Sequence, residues 1–221
     1  MARLSKKAAA EQARVREIFE RFLARTADPS TELSYTTPYS LLVAVVLSAQ
    51  ATDKSVNKAT EQLYKVAATP QAMVDLGEAG LTPYIASIGL FRMKAKNVVA
   101  LSRRLLDEYG GEVPLDRAAL QDLPGVGRKT ASVVLNELSV QPAIAVDTHV
   151  FRVAHRLKLA DAKTPDKVEA QLMAKIPEEF LTRAHHWLIL HGRYVCVARK
   201  PKCQDCVVGD LCPSRDLFLG M

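Results

Sequence analysis

No stretch of this chain stays apolar for long. The longest aliphatic run is Leu41–Leu47, too short to span a bilayer, so a membrane-spanning helix is not expected. The basic N-terminus (Arg3, Lys6, Lys7) is followed by no apolar segment, which argues against a secretory signal. Cysteine is missing ahead of Cys196, and all four thiols fall between Cys196 and Cys212. That excludes the usual disulfide scaffold, whose cysteines spread through a small secreted fold. Internal repeats, low-complexity tracts and long linkers are absent as well. Strand patterns are nearly so, since only Pro142–Val146 resembles one and it is too short to build a sheet.

What is present is globular. Hydrophobic residues make up 48% of the 221 and charged residues 24%, which excludes disorder and collagen and gives one large or two modest domains. The formal charge is +6, from 30 Lys and Arg against 24 Asp and Glu. Its distribution is uneven: residues 1–30 carry +3, residues 31–141 are neutral in sum, and residues 142–221 carry +3.

The chain reads as helix after helix, so the expected class is all-α. Arg14–Arg25 places Val15, Ile18, Phe19, Phe22 and Leu23 on one helical face. Pro38 opens Tyr39–Ala49, apolar almost all round and hence a buried core helix. Thr69-Pro70 starts a helix that stops near Gly77, and Thr82-Pro83 starts another that ends at Gly89. Phe91–Tyr109 is the longest pattern and stops at Gly110-Gly111. Asp116 caps a helix to about Asp122, Arg128–Leu138 forms the next, and Asp147 caps Thr148–Leu157. Thr164-Pro165 opens a further helix broken by Pro177, and Glu179–Val195 follows.

The cysteines are spaced Cys196-x6-Cys203-x2-Cys206-x5-Cys212. Four thiolates in a compact loop satisfy either a tetrahedral zinc or a four-iron cubane. Zinc sites usually pair two C-x-x-C knuckles and here there is one, yet spacing alone leaves the two metals open.

A second feature is Leu123-Pro124-Gly125-Val126-Gly127-Arg128-Lys129-Thr130-Ala131, which joins two helical patterns. Glycines 125 and 127 free the backbone and allow close approach to a ligand. Arg128 and Lys129 then open a helix, whose N-terminal N–H groups and dipole favour an anion. The product is a phosphate-holding hairpin or an ordinary helical corner. It is not a P-loop, because the spacing differs.

These pieces occur in one order: Leu47-Ser48-Ala49-Gln50-Ala51-Thr52-Asp53, the hairpin at 123–131, Ile144-Ala145-Val146-Asp147-Thr148-His149, the stretch 185–196, then the four-cysteine loop. In that order they closely resemble the endonuclease III family over about residues 14–213. The resemblance implies a six-helix barrel at 31–141 with a helix-hairpin-helix motif. A second helical domain of residues 1–30 and 142–221 would carry a 4Fe–4S cluster, with zinc as the runner-up. It further implies a bifunctional DNA glycosylase and apurinic/apyrimidinic lyase of base excision repair. Such an enzyme flips out and excises oxidised pyrimidines through a lysine Schiff base, then cuts 3′ to the abasic site by β-elimination. The expected partner is damaged double-stranded DNA. The protein would be a monomer, off the membrane, in the cytoplasm and at the nucleoid in a bacterium.

Residue by residue, Lys129 matches the nucleophile and Asp147 the catalytic aspartate. Cys196, Cys203, Cys206 and Cys212 match the cluster ligands. Gln50 matches the residue that fills the gap left by the flipped nucleotide, and Leu90 the apolar wedge on the other strand. The segment Phe91-Arg92-Met93 is bulkier and more basic than the family pattern, which bears on opposite-base preference. Gly125, Val126, Gly127, Arg128 and Thr130 of the hairpin, His149, and Arg199, Lys200 and Lys202 of the cysteine loop are the further candidate DNA contacts. Arg193 flanks the same loop. Arg92, Lys96 and Arg103 share one helix face suited to phosphates. Two alternatives stand beside this reading: an adenine-mismatch glycosylase on the same scaffold, which generally lacks a lysine at position 129 and carries an extra C-terminal domain, and a DNA-binding module without catalysis.

Overall fold

The computed structural model describes residues 6–219; Arg3 lies outside them. Helices follow one another among the described residues, with no strand: α1 (Lys6–Arg25), α2 (Pro38–Ser48), α3 (Asp53–Leu63), α4 (Pro70–Ile85), α5 (Phe91–Tyr109), α6 (Arg117–Asp122), α7 (Arg128–Glu137), α8 (Thr148–Arg156), α9 (Pro165–Lys175) and α10 (Leu181–Tyr194). Short 3₁₀ turns precede α10 and punctuate the C-terminal loop. The chain divides into two compact units. One is Thr31–Val140; the other joins the residues up to Ser30 to those from Gln141 onward.

The Thr31–Val140 unit holds α2 to α7, with α2 as its core. Thr37 and Ser40 form a reciprocal capping box and Pro38 occupies the first turn, so the helix start is fixed locally. Every residue from Tyr39 to Leu47 is buried. Full burial of each large aliphatic side chain contributes about 1.5–3 kcal/mol. The polar groups drawn into this core are paired. Tyr39 Oη lies 2.6 Å from Ser102 Oγ, and Tyr64 Oη donates to the Ser40 carbonyl at 2.7 Å. Burial pushes both phenols well above the ordinary tyrosine range.

Helix α3 has no counterpart in the sequence reading. Thr52 accepts the Ser55 N–H as N-cap, and Val56, Ala59, Thr60 and Leu63 form the buried stripe. Its apolar face is narrow and half of it is small or polar, so hydrophobic periodicity alone is weak here. Helix α4 also differs from expectation. Gly77 leaves helical geometry (φ 67°, ψ 175°), as anticipated, but the second half resumes at once and Pro83 lies inside it. Thr82 is no N-cap: its hydroxyl donates to the Glu78 carbonyl at 2.7 Å. Helix α5 ends as read, with Gly110 left-handed at φ 60° and the Gly110 and Gly111 N–H groups both returned to the Leu105 carbonyl.

In the unit built from both ends, α1 is already helical at Lys6, ahead of Arg14, because an alanine-rich stretch extends it. Val15, Ile18, Phe19 and Phe22 are its buried stripe. Phe19 stacks on Phe180 at 5.9 Å, and Trp187 Nε1 donates to the Thr26 carbonyl at 2.8 Å. Arg14 donates to the carbonyls of Leu157 (3.1 Å) and Leu211 (3.0 Å), tying α1 to the end of α8 and to the C-terminal loop. Residues Pro142–Val146 form no strand, since no neighbouring strand exists to pair with them. Ala143, Ile144 and Ala145 are simply buried.

Candidate functional site

The hairpin between α6 and α7 is set by one glycine. Gly125 is left-handed (φ 78°), and the turn closes with the Val126 N–H on the Leu123 carbonyl at 3.1 Å. A Cβ on Gly125 would stand 2.9 Å from Asn97 Cβ and Nδ2, so the turn packs directly on α5. Gly127 is the N-cap of α7 and makes no side-chain cap hydrogen bond. Gly125, Gly127, Arg128 and Lys129 are exposed, and Thr130 is half-buried. Val126 departs from the expected DNA contact. Its side chain is 5% exposed, in the core of this unit, and its N–H is used within the turn, so neither group faces a ligand.

Two further loops of the same unit carry Gln50 and Leu90. Both residues are exposed and both are left-handed, at φ 56° and φ 60°. Leu90 is the N-cap of α5 and is 55% exposed. On α5 beyond it, Arg92, Lys96 and Arg103 are exposed. Lys94 is not: it is 4% exposed, and its Nζ donates to the Leu47 carbonyl at 2.9 Å. Burial pushes this ammonium below the usual lysine range.

Asp147 caps α8 in the other unit. A single oxygen, Oδ1, accepts the N–H groups of His149 and Val150, each at 2.8 Å, so the carboxylate position is fixed. His149 is half-buried, and its Nδ1 lies 3.3 Å from Arg152 Nη2. Arg152 also donates to the carbonyls of Cys196 (3.0 Å) and Gly192 (2.8 Å), joining the helix behind Asp147 to the first cysteine.

The four cysteines are free thiols, and all four line one hollow with Arg156, His191 and Arg215. No three His, Cys, Asp or Glu side chains among the described residues are gathered to hold one ion. Four thiols lining one hollow supply the donor set that a four-iron cluster needs. Burial, and secondarily the neighbouring thiols, push Cys203 and Cys206 up, and Cys212 likewise. Four thiolates in this hollow need a cationic core between them. Arg156 Nη1 lies 3.4 Å from Cys196 Sγ and donates to the Val197 carbonyl at 2.7 Å. Arg215 Nε is buried with no hydrogen-bond partner, a donor that a sulfur-rich group in the hollow would satisfy. Arg199, Lys200 and Lys202 are exposed on the loop, with Lys200 left-handed at φ 51°. Among the described residues no helix is long and apolar enough to cross a membrane.

Lys94, Arg152, Arg156 and Arg215 are the residues that the sequence reading missed in these roles. Lysine or arginine on a helix reads as solvated surface, and only the fold shows what each reaches.

Residues 43–178 match the family model of the HhH-GPD superfamily base excision DNA repair protein, and residues 196–212 match the iron-sulfur binding domain of endonuclease III. Endonuclease III of Escherichia coli K12 is 54% identical over 200 residues, covering 90% of this chain and 95% of its own length. That of Rickettsia conorii is 56% identical over 198 residues, covering 90% and 94%. Among solved structures, a trapped endonuclease III–DNA covalent intermediate superposes with a TM-score of 0.87 at 42% identity, covering 94% of this chain and 98% of that one. A thermostable thymine-DNA glycosylase shares the fold, with a TM-score of 0.80 at 22% identity over 96% of this chain and 100% of that one.

Proposed function

The chain belongs to the endonuclease III family of base excision repair proteins, and from that premise we propose that Lys129 is its nucleophile and Asp147 its catalytic carboxylate. The observation that carries this is Lys129 itself, exposed in the first turn of α7 directly behind a glycine-built hairpin. The reaction is excision of oxidised pyrimidines from damaged double-stranded DNA, followed by strand cleavage.

A base inside a duplex is out of reach, so the nucleotide turns out of the stack at a cost of a few kcal/mol. Gln50 and Leu90 offset that cost by filling the gap, one with polar and one with apolar contacts. The neutral Lys129 amine attacks C1′. The bond from C1′ to the base breaks, and the base leaves with the electron pair and takes up a proton. Asp147 accepts the proton that Lys129 sheds and stabilises positive charge developing on the sugar. The C1′–O4′ bond then opens as O4′ takes up a proton, leaving a Schiff base between C1′ and Lys129 that acidifies a C2′ proton. Its removal expels the 3′ oxygen, which cuts the strand, and water then releases Lys129.

The four cysteines would hold a 4Fe–4S cluster. When bound, it supplies a covalent cross-link between four points of the C-terminal loop, which keeps Arg199, Lys200 and Lys202 in a fixed array for backbone phosphates. His149 and the exposed hairpin residues Gly125, Gly127, Arg128 and Thr130 add sugar and phosphate contacts. The protein works as a monomer in the cytoplasm. The adenine-mismatch alternative is not favoured by the relatives.

Borohydride trapping on duplex DNA with an oxidised pyrimidine tests this reading. The wild type forms a covalent adduct and Lys129→Ala forms none. An adduct that persists in Lys129→Ala would exclude Lys129, and its absence in the wild type would favour a DNA-binding module without catalysis.

A further inference from the structure

Two left-handed residues in one surface region need an explanation. A non-glycine residue in that conformation costs about 1–2 kcal/mol and persists only where its surroundings over-determine it. Gln50 and Leu90 both adopt it, on loops 40 positions apart in sequence. The loops meet: a Cβ on Gly89 would stand 3.8 Å from the Gln50 carbonyl oxygen.

Lys94 links the two. Its backbone N–H closes the first turn of α5 on the Leu90 carbonyl at 3.0 Å. Its side chain runs inward to the Leu47 carbonyl in the last turn of α2, just before Gln50. That carbonyl belongs to the helix end whose acceptors lack intrahelical partners and carry the negative end of the dipole. Helix α2 has no basic residue in its own last turn, so α5 provides the cation. A buried ammonium is costly where a methionine of similar length would pack without penalty. Stability of the core does not explain a lysine here, whereas fixing one loop against the other does. Asn97, one turn further along the same face of α5, packs against Gly125 of the hairpin. One face of α5 thus touches each of the three DNA-facing loops of this unit.

We infer that Lys94 is a positioning residue that holds Gln50 and Leu90 at the spacing needed to enter a duplex together. The inference rests on the proposed insertion of those two residues. It makes strand insertion, rather than chemistry, the step that Lys94 controls. An abasic site in a single strand leaves no stacked duplex to enter, so Lys94 is not needed there.

The test compares the full-length wild type with Lys94→Met, Gln50→Ala and Leu90→Ala on one abasic site, presented in a duplex and in a single strand. The readouts are the single-turnover rate of borohydride trapping, the fluorescence of a 2-aminopurine beside the lesion, and the thermal midpoint. In the duplex, Lys94→Met is expected to slow trapping by about 10- to 100-fold, the scale of a small misplacement, and to delay the 2-aminopurine signal equally. In the single strand it keeps the wild-type rate. Lys94→Gln, which retains an N–H donor, falls between the two and serves where Lys94→Met fails to fold. Equal loss on both substrates would overturn the inference, and so would a wild-type duplex rate in Lys94→Met alongside losses in Gln50→Ala and Leu90→Ala. Wild-type duplex rates in those two alanine variants would instead overturn the insertion reading beneath it.

Discussion

Gly192 lies close against His149: a Cβ on Gly192 would stand 2.9 Å from His149 Cβ and 3.2 Å from its carbonyl oxygen. This is where α10 packs on α8, two residues beyond Asp147. Gly192 is helical, so alanine there meets no torsional strain and only a steric one. Gly192→Ala is expected to destabilise the protein by about 1–3 kcal/mol through overpacking. It should also lower activity, because the displaced first turn of α8 carries the Asp147 cap. Thermal unfolding and single-turnover rates together check this.

Gly125 combines both strains. Gly125→Ala places a Cβ against Asn97 and forces a left-handed torsion, the latter worth about 1–2 kcal/mol. The hairpin should reshape rather than the core unfold. DNA affinity is then expected to fall more than the thermal midpoint suggests, and a binding titration beside a melt separates the two.

Asp147→Asn separates capping from catalysis. Asparagine caps as well as aspartate, so folding and damaged-DNA binding are retained. Turnover is expected to drop by about 10²- to 10⁴-fold, the usual contribution of a positioned acid–base group. Equal loss of binding and turnover would mark Asp147 as a cap alone.

The cofactor prediction is optical. Protein holding a 4Fe–4S cluster is yellow-brown and absorbs broadly near ~410 nm, whereas a zinc protein is colourless. Arg215→Met removes the buried, unpartnered donor in the cysteine hollow. It is expected to weaken cluster retention by about 10-fold or more, as loss of an outer partner commonly does. Iron content after dialysis against a chelator measures it.

Acid should loosen the unit built from both chain ends through Glu11. The Arg14 side chain, with Lys175 beside it, holds the Glu11 carboxyl down at about 2 against an ordinary 4.5. A depressed carboxylate contributes stability that is complete above pH 4.5 and is lost as the pH falls toward 2. The urea midpoints of the wild type and Glu11→Gln should therefore differ at neutral pH and converge over that window. The pair is partly exposed, so the difference is small.

Helix starts and stops were legible at several places where local chemistry dictates them. Pro38, Asp116, Asp147 and Gly110 each fix a boundary through a cap or a torsion that only certain residues supply. Helix α3 was not, because its buried stripe includes an alanine and a threonine whose burial comes from neighbours rather than from hydropathy. Pro83 misled because a proline suits a first turn, while the true break lies upstream at Gly77. In the site, residue type and spacing marked the hairpin and the cysteines as candidates, while the roles given to Lys129 and Asp147 came from the family resemblance. Val126 could not be told from its exposed neighbours, since burial within a turn is a property of packing. Lys94 and Arg215 carry no sequence signal at all. Their roles depend on reaching Leu47 and the cysteine hollow, and those are tertiary facts.

The cap geometry of Asp147 has a consequence for how this site tolerates change. Active-site groups are often held against the preference of the fold, so that removing them stabilises the protein. Here Oδ1 of the proposed catalytic carboxylate satisfies two backbone N–H groups that would otherwise lack partners. Asp147→Ala then forfeits about 1 kcal/mol of stability together with activity. Selection for robustness and selection for turnover act on this position in the same direction, and only a neutral capping residue such as asparagine or serine lets them part.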